Sequence, residues 1–233
     1  MLTVALSFPC VPAQAAATTP SSRGQGLRRP AARTVQPLVA SAVTDLSPLR
    51  SQRVVCILDG DNIRISAQER GAVVLYDRLL DRMRQIAADV FPVSVITREA
   101  GDGREEAALK GAGWRVLSIE REVVPSVHGP RKAANADSDV AFELGALAVV
   151  ADPTLIVLGT GDGDLAVSCA RGIGRVLRGR RVPVHTLSVP GSTSSRMRSR
   201  TDLFASSLLL GSDILVPTTS KRFALITGDR HAA

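Results

Sequence analysis

Two apolar runs in this chain end in clusters of acids and glycines. Val54-Val55-Cys56-Ile57-Leu58 leads into Asp59-Gly60-Asp61-Asn62. Leu155-Ile156-Val157-Leu158 leads into Gly159-Thr160-Gly161-Asp162-Gly163-Asp164. Between them, the segment from Lys132 to Leu147 sets Asp137, Asp139 and Glu143 at the start of an apolar stretch. Carboxylates gathered in one place repel, and a cation is the usual means of holding them together. Their oxygens are hard donors that suit Mg²⁺ or Mn²⁺, with water filling the remaining positions. Such a metal makes a water nucleophilic and offsets charge on a phosphate. The chain as a whole has the opposite sign, with a net charge of +7 carried mostly by arginine. An acidic centre inside a basic protein fits a polyanionic partner.

Each of these residues also has a plainer reading. Asp137, Asp162 and Asp164 suit helix N-caps. Asp59 and Asp61 suit a turn around Gly60. Glu143 and Lys132 suit solvated surface charges. Five acids at two strand ends and one helix start favour a shared site over a set of independent caps. Gly159-x-Gly161-x-Gly163 does not have the dinucleotide spacing, and Asp162 and Asp164 stand where a pyrophosphate charge would go.

The elements that must position these residues alternate in type. Short β-branched runs predict strands over 53–58, 92–97, 115–119, 154–158 and 182–187. Helical spacing predicts helices over 73–89, 103–112, 136–150 and 164–178. Alternating strands and helices imply an α/β fold with a central, mainly parallel sheet covered on both faces. Function in such sheets gathers at the carboxyl ends of the strands. Arg171, Arg175 and Arg178 recur along one side of the fourth predicted helix, with Arg180 and Arg181 after it. Arg196, Arg198 and Arg200 follow in a Ser/Gly/Arg-rich loop over 188–202. These arginines suit a phosphate-tracking surface. Residues 203–210 form a further apolar segment, and 218–233 reads as a tail.

Residues 1–50 are rich in Ala, Pro, Ser, Thr and Arg, and no acid precedes Asp45. This composition predicts a disordered extension, and it also resembles an organellar transit segment. Cys10, Cys56 and Cys169 are far apart, as are His128, His185 and His231, and neither set has metal-ligand spacing. The cysteine pattern fits a reducing compartment, so a cytoplasmic location is expected, with an organelle as the alternative. No apolar run is long enough to span a membrane. Aromatic residues make up 3% of the chain, too few for a site built on stacked bases.

Four motifs carry a family resemblance. Ile57-Leu58-Asp59-Gly60-Asp61-Asn62-Ile63 resembles the opening motif of NYN domains, which belong to the PIN-like nucleases. Lys132 followed by Asp139-Val140-Ala141-Phe142-Glu143-Leu144 is similar to their lysine-then-aspartate helix. Leu158-Gly159-Thr160-Gly161-Asp162-Gly163-Asp164-Leu165 is similar to their "SGDxDF" motif. Thr201-Asp202-Leu203-Phe204 is similar to their late "AD-x-F" signature. The resemblance covers about 53–216. It implies a Rossmann-like, three-layer PIN-type domain over 51–217 with divalent-metal-dependent ribonuclease activity in RNA processing or decay. It makes Asp59, Asp139, Asp162 and Asp164 the metal-binding catalytic acids. Asn62, Lys132, Thr160, Arg171, Arg175 and Arg178 would support the site or contact RNA. A homo-oligomer is compatible with this reading. Two positions depart from the pattern: Thr160 replaces a serine, and Gly145 stands where a further acid is expected.

Two other functions fit the same residues. A haloacid-dehalogenase-like phosphatase would use Asp59 as nucleophile, Asp61 as general acid and Thr97 as a strand-end hydroxyl. A non-catalytic RNA-binding module would retain the arginines and lose the metal, and Gly145 favours it.

Overall fold

A computed structural model describes residues 43–99, 101–124, 131–133 and 136–218. Its centre is β1 (Arg53–Asp59), buried at every position from Val54 onward. A strand apolar on both faces needs cover on both sides, which a parallel sheet with crossover helices supplies. The chain continues through α1 (Gly60–Gln68), β2 (Ala72–Val74), α2 (Tyr76–Arg84), β3 (Asp89–Arg98), α3 (Arg104–Gly111) and β4 (Arg115–Glu120). A short antiparallel pair, β5 (Glu122–Val124) and β6 (Arg131–Ala133), precedes α4 (Asp137–Val150). Then come β7 (Leu155–Gly159), α5 (Gly163–Val176), β8 (Val184–Ser188), α6 (Ser195–Ser199), β9 (Ser206–Leu209) and β10 (Leu215–Pro217).

Six strands form one all-parallel sheet in the order β4-β3-β1-β7-β8-β9. The chain winds outward from β1 to β4, then returns and winds the other way from β7 to β9. The direction reverses between β1 and β7, which makes their carboxyl ends the switch point of the sheet. Val54, Cys56 and Leu58 enter one core with Ile63 and Ala67 of α1 and Leu79, Leu80 and Met83 of α2. Val55 and Ile57 enter the other with Val140 and Leu144 of α4 and Leu165 and Ile173 of α5. The domain is therefore a three-layer, Rossmann-like α/β fold, as the alternation of elements predicts. No helix among the described residues is long and apolar enough to cross a membrane.

Several boundaries differ from the sequence expectation. The folded part begins by residue 43, not 51. Leu46 and Leu49 are fully buried, and Thr44 is hydrogen-bonded through N and Oγ1 to Asp213, at 3.0 and 2.8 Å. Burying each leucine stabilises the fold by roughly 1.5–3 kcal/mol. Residues 1–42 and 219–233 lie outside the described residues. The predicted helix over 73–89 is two elements, because Val73 and Val74 pair antiparallel with β10 before α2 begins. The Asp-Gly-Asp-Asn turn opens a helix, α1, that sequence periodicity did not indicate, since only Gly60, Ile63 and Ala67 face inward. The Lys132 backbone belongs to β6, opposite Val123. Its side chain lies outside the described residues.

Gly60 is required by packing. A Cβ there would sit 2.5 Å from Ile96 Cγ2, 2.8 Å from Ser94 Oγ and 3.0 Å from the Val95 carbonyl oxygen. Gly60→Ala is expected to lower stability by about 1–3 kcal/mol in urea unfolding.

Candidate acidic centre

The β1–β7 pairing aligns Leu58 with Gly159, so Asp59 and Thr160 leave the sheet side by side. A Cβ at Gly159 would strike the Leu58 side chain, so this close approach needs glycine. Asp59 is 8% exposed and caps α1. Its Oδ1 accepts from Asn62 N at 3.2 Å, and its Oδ2 accepts from the Thr160 hydroxyl at 3.2 Å. Asn62 Oδ1 in turn accepts from Gly161 N at 2.6 Å, and Thr160 Oγ1 accepts from Asp162 N at 3.0 Å. These four bonds lock two strand ends, far apart in sequence, into one unit. The remaining glycines let a second loop close over it. A Cβ at Gly161 would lie 2.8 Å from the Ser192 carbonyl oxygen, and one at Gly163 would strike Ser194 and Arg196. Their spacing serves loop packing.

The acids separate into two groups. Burial pushes the Asp59 carboxyl up to about 6, against the hydrogen bonds from Asn62 and Thr160, with the charges of Asp137 and Asp61 adding to the rise. Asp137 is also raised, first by burial and then by the Asp162 carboxylate. Cys169 of α5 is pushed up to about 12, mainly by burial and further by Asp137 and Asp59. Asp162 caps α5, accepting from Asp164 N at 2.7 Å and Leu165 N at 3.3 Å. At the switch point Asp59 therefore feels the charge of Asp137, and Asp137 that of Asp162.

The other acids point elsewhere. Asp139, the helix acid singled out by the sequence motif, is exposed on the outer side of α4, in line with Phe142 and Ala146. Asp137 lies instead in line with Val140 and Leu144, which face the core, and this i, i+3, i+7 relation was readable in the sequence. Asp164 is largely exposed and ion-paired with Arg196. Burial would raise Asp61, but Thr97 and Arg64 hold it below the usual range. Thr97 donates through Oγ1 at 2.5 Å and N at 2.8 Å, and Arg64 donates at 2.8 Å. Glu143 is buried and meets Arg115 at 2.7 Å, so it is not a solvated charge.

The arginines are also redistributed. α5 starts at the acidic centre and rises about 1.5 Å per residue away from it, which puts Arg171 and Arg175 roughly 12 and 18 Å along the axis. Arg178 lies beyond the helix end with a positive φ of 46°. These three do not ring the acids. Arg196 of α6 ion-pairs with Asp164 at the start of α5, and sequence spacing alone did not separate it from Arg198 and Arg200.

Among the described residues, no three His, Cys, Asp or Glu side chains approach closely enough to cage a metal ion by themselves. The donor chemistry at the centre still fits a hard cation. Asp59, Asp137 and Asp162 are oxygen donors, and neighbouring carboxylates are relieved by a cation between them.

No protein-family model matches the chain, and no curated protein does either. The fold is similar to the crystal structure of a Vibrio parahaemolyticus protein of unknown function, with a TM-score of 0.53 and 19% sequence identity. That likeness covers 72% of this chain and 98% of the other. It shows the shared α/β architecture.

The raised Asp59 carboxyl makes metal-free stability fall with pH. The unfolded chain releases this proton near 3.8 and the folded chain near 6. The contribution is fully present below about 3.8 and is lost as pH rises through 6. Asp59→Asn keeps a capping oxygen and removes the charge. In EDTA it is expected to be more stable than the native chain at pH 7 by about 1–3 kcal/mol. The difference should vanish at pH 4. Urea unfolding at both pH values measures it.

Proposed function

We propose that this protein is a divalent-metal-dependent ribonuclease that hydrolyses RNA phosphodiester bonds in RNA processing or decay. The observation that carries this reading is the placement of Asp59 and Asp162 beside the carboxyl ends of β1 and β7, with the charge of Asp137 acting on Asp59. The NYN-like motifs in the sequence supply the substrate class. Mg²⁺ or Mn²⁺ would be held by Asp59, Asp137 and Asp162. When bound, the cation lowers the pKa of water and neutralises charge on the phosphate. The Thr160 hydroxyl orients Asp59, and Asn62 pins the Gly161 amide so that the two strand ends keep their spacing. Arg196 gives the rim a positive group for a substrate phosphate, with Asp164 as its resting partner. Hydrolysis would leave a 5′-phosphate on one product. The buried, unpaired thiols of Cys56 and Cys169 are in keeping with a reducing, cytoplasmic setting.

A phosphatase using Asp59 as nucleophile has less support. Both Asp59 oxygens are engaged, and Asp61, its general acid, is held by Thr97 and Arg64. A non-catalytic RNA-binding module is the second reading. The outward Asp139 and the Arg196-paired Asp164 favour it.

The full chain with labelled single-stranded RNA and Mn²⁺ is expected to cleave, and EDTA to stop it. Asp59→Asn, Asp137→Asn and Asp162→Asn should each lower the rate on the order of 100-fold or more. Asp139→Asn should change it less than about threefold, as for an exposed charge. The nuclease reading fails if Asp59→Asn and Asp162→Asn both leave cleavage intact. Binding without cleavage would point to the RNA-binding module.

A further inference from the structure

We infer that the outer face of α4 pairs with the same face of a second copy of this chain, antiparallel, about a two-fold axis near Gly145. A surface helix ordinarily shows solvent a polar face. α4 shows it Phe142, Val149 and Val150, which are 79%, 62% and 83% exposed. From Leu144 to its end the helix carries no charge. At 14 residues it is too short to span a bilayer. Its acidic start does not suit an anionic lipid surface.

Gly145 points the same way. A glycine inside a helix weakens it. Here nothing lies within 4 Å of where its Cβ would be, so the fold of one copy does not require it. A missing side chain on an apolar outer face lets another backbone come close. The same helix therefore carries a knob, Phe142, and a hole, Gly145 with Ala146. A self-complementary surface of this kind is what an isologous contact uses.

Charge selects the antiparallel sense. α4 and α5 both run from the carboxyl rim of the sheet to its amino rim, where Arg180 ion-pairs with Asp152. The acidic end, with Asp137 and Asp139, is at the first rim. Arg175 and Arg178, both exposed, lie toward the second. An antiparallel partner sets Asp139 of each copy toward the basic end of the other, twice per dimer. Helix dipoles also favour this sense. The strip is narrow, about 21 Å long, so the dimer is expected to be concentration-dependent, with a roughly micromolar Kd.

Sedimentation velocity on the full chain from about 1 to 100 μM tests this. The mass is expected to rise to about twice 24.6 kDa. Phe142→Glu should return the monomer mass. Gly145→Leu should do the same with an unchanged circular dichroism spectrum, and it decides the matter if Phe142→Glu does not fold. Arg175→Glu should weaken the dimer at least about tenfold, and adding Asp139→Lys should restore it. A native chain that stays monomeric at 100 μM overturns the inference. So does a dimer that survives both Phe142→Glu and Gly145→Leu, which would place the contact elsewhere.

Discussion

The parallel pairing of β1 with β7 is the constraint on which the rest depends. It joins segments about a hundred residues apart and sets their carboxyl ends level, Leu58 against Gly159. Both strands are apolar on both faces, so a slip in register would displace two cores at once. The same register puts the Asp59 carboxylate beside the Thr160 hydroxyl and the Asn62 side-chain oxygen Oδ1 beside the Gly161 amide. The polar links at the strand ends therefore follow from apolar packing in the middle of the sheet.

That arrangement concentrates negative charge at the carboxyl ends of the central strands. The protein relieves part of it internally. Asp61 is tied to Thr97 and Arg64, Glu143 to Arg115, and Asp164 to Arg196. Asp59 and Asp137 keep raised carboxyls. Burying a carboxylate is costly and favours its neutral form. The raised Asp59 carboxyl makes the fold sensitive to pH.

α4 links the centre to the outer surface. Its inner face supplies Val140 and Leu144 to one core, while its outer face exposes Phe142, Val149 and Val150, with no partner for them among the described residues. A two-fold contact along that face would bury what a single copy leaves open. It would also set the acidic start of each helix near the basic end of its neighbour. The arginines that sequence spacing grouped with the acids sit well along α5, closer to such a contact than to the strand ends.

Much of the architecture was legible in the sequence, because it rests on local periodicity. Buried runs mark strands, amphipathic spacing marks helices, and their alternation requires a covered parallel sheet. The gathering of Asp59 and Asp162 at strand ends was readable for the same reason. The tertiary structure decided the rest. Residues 43–50 follow a segment whose composition predicts disorder, yet Leu46 and Leu49 are buried in the core. Val73 and Val74 become a strand because β10 lies alongside them. Asp137 and Asp139 both open α4 and both are exposed, and the tertiary structure brings the charge of the first to bear on Asp59. Direction is not a property of residue type. It is set by which face of a helix is buried, and that depends on contacts made far along the chain.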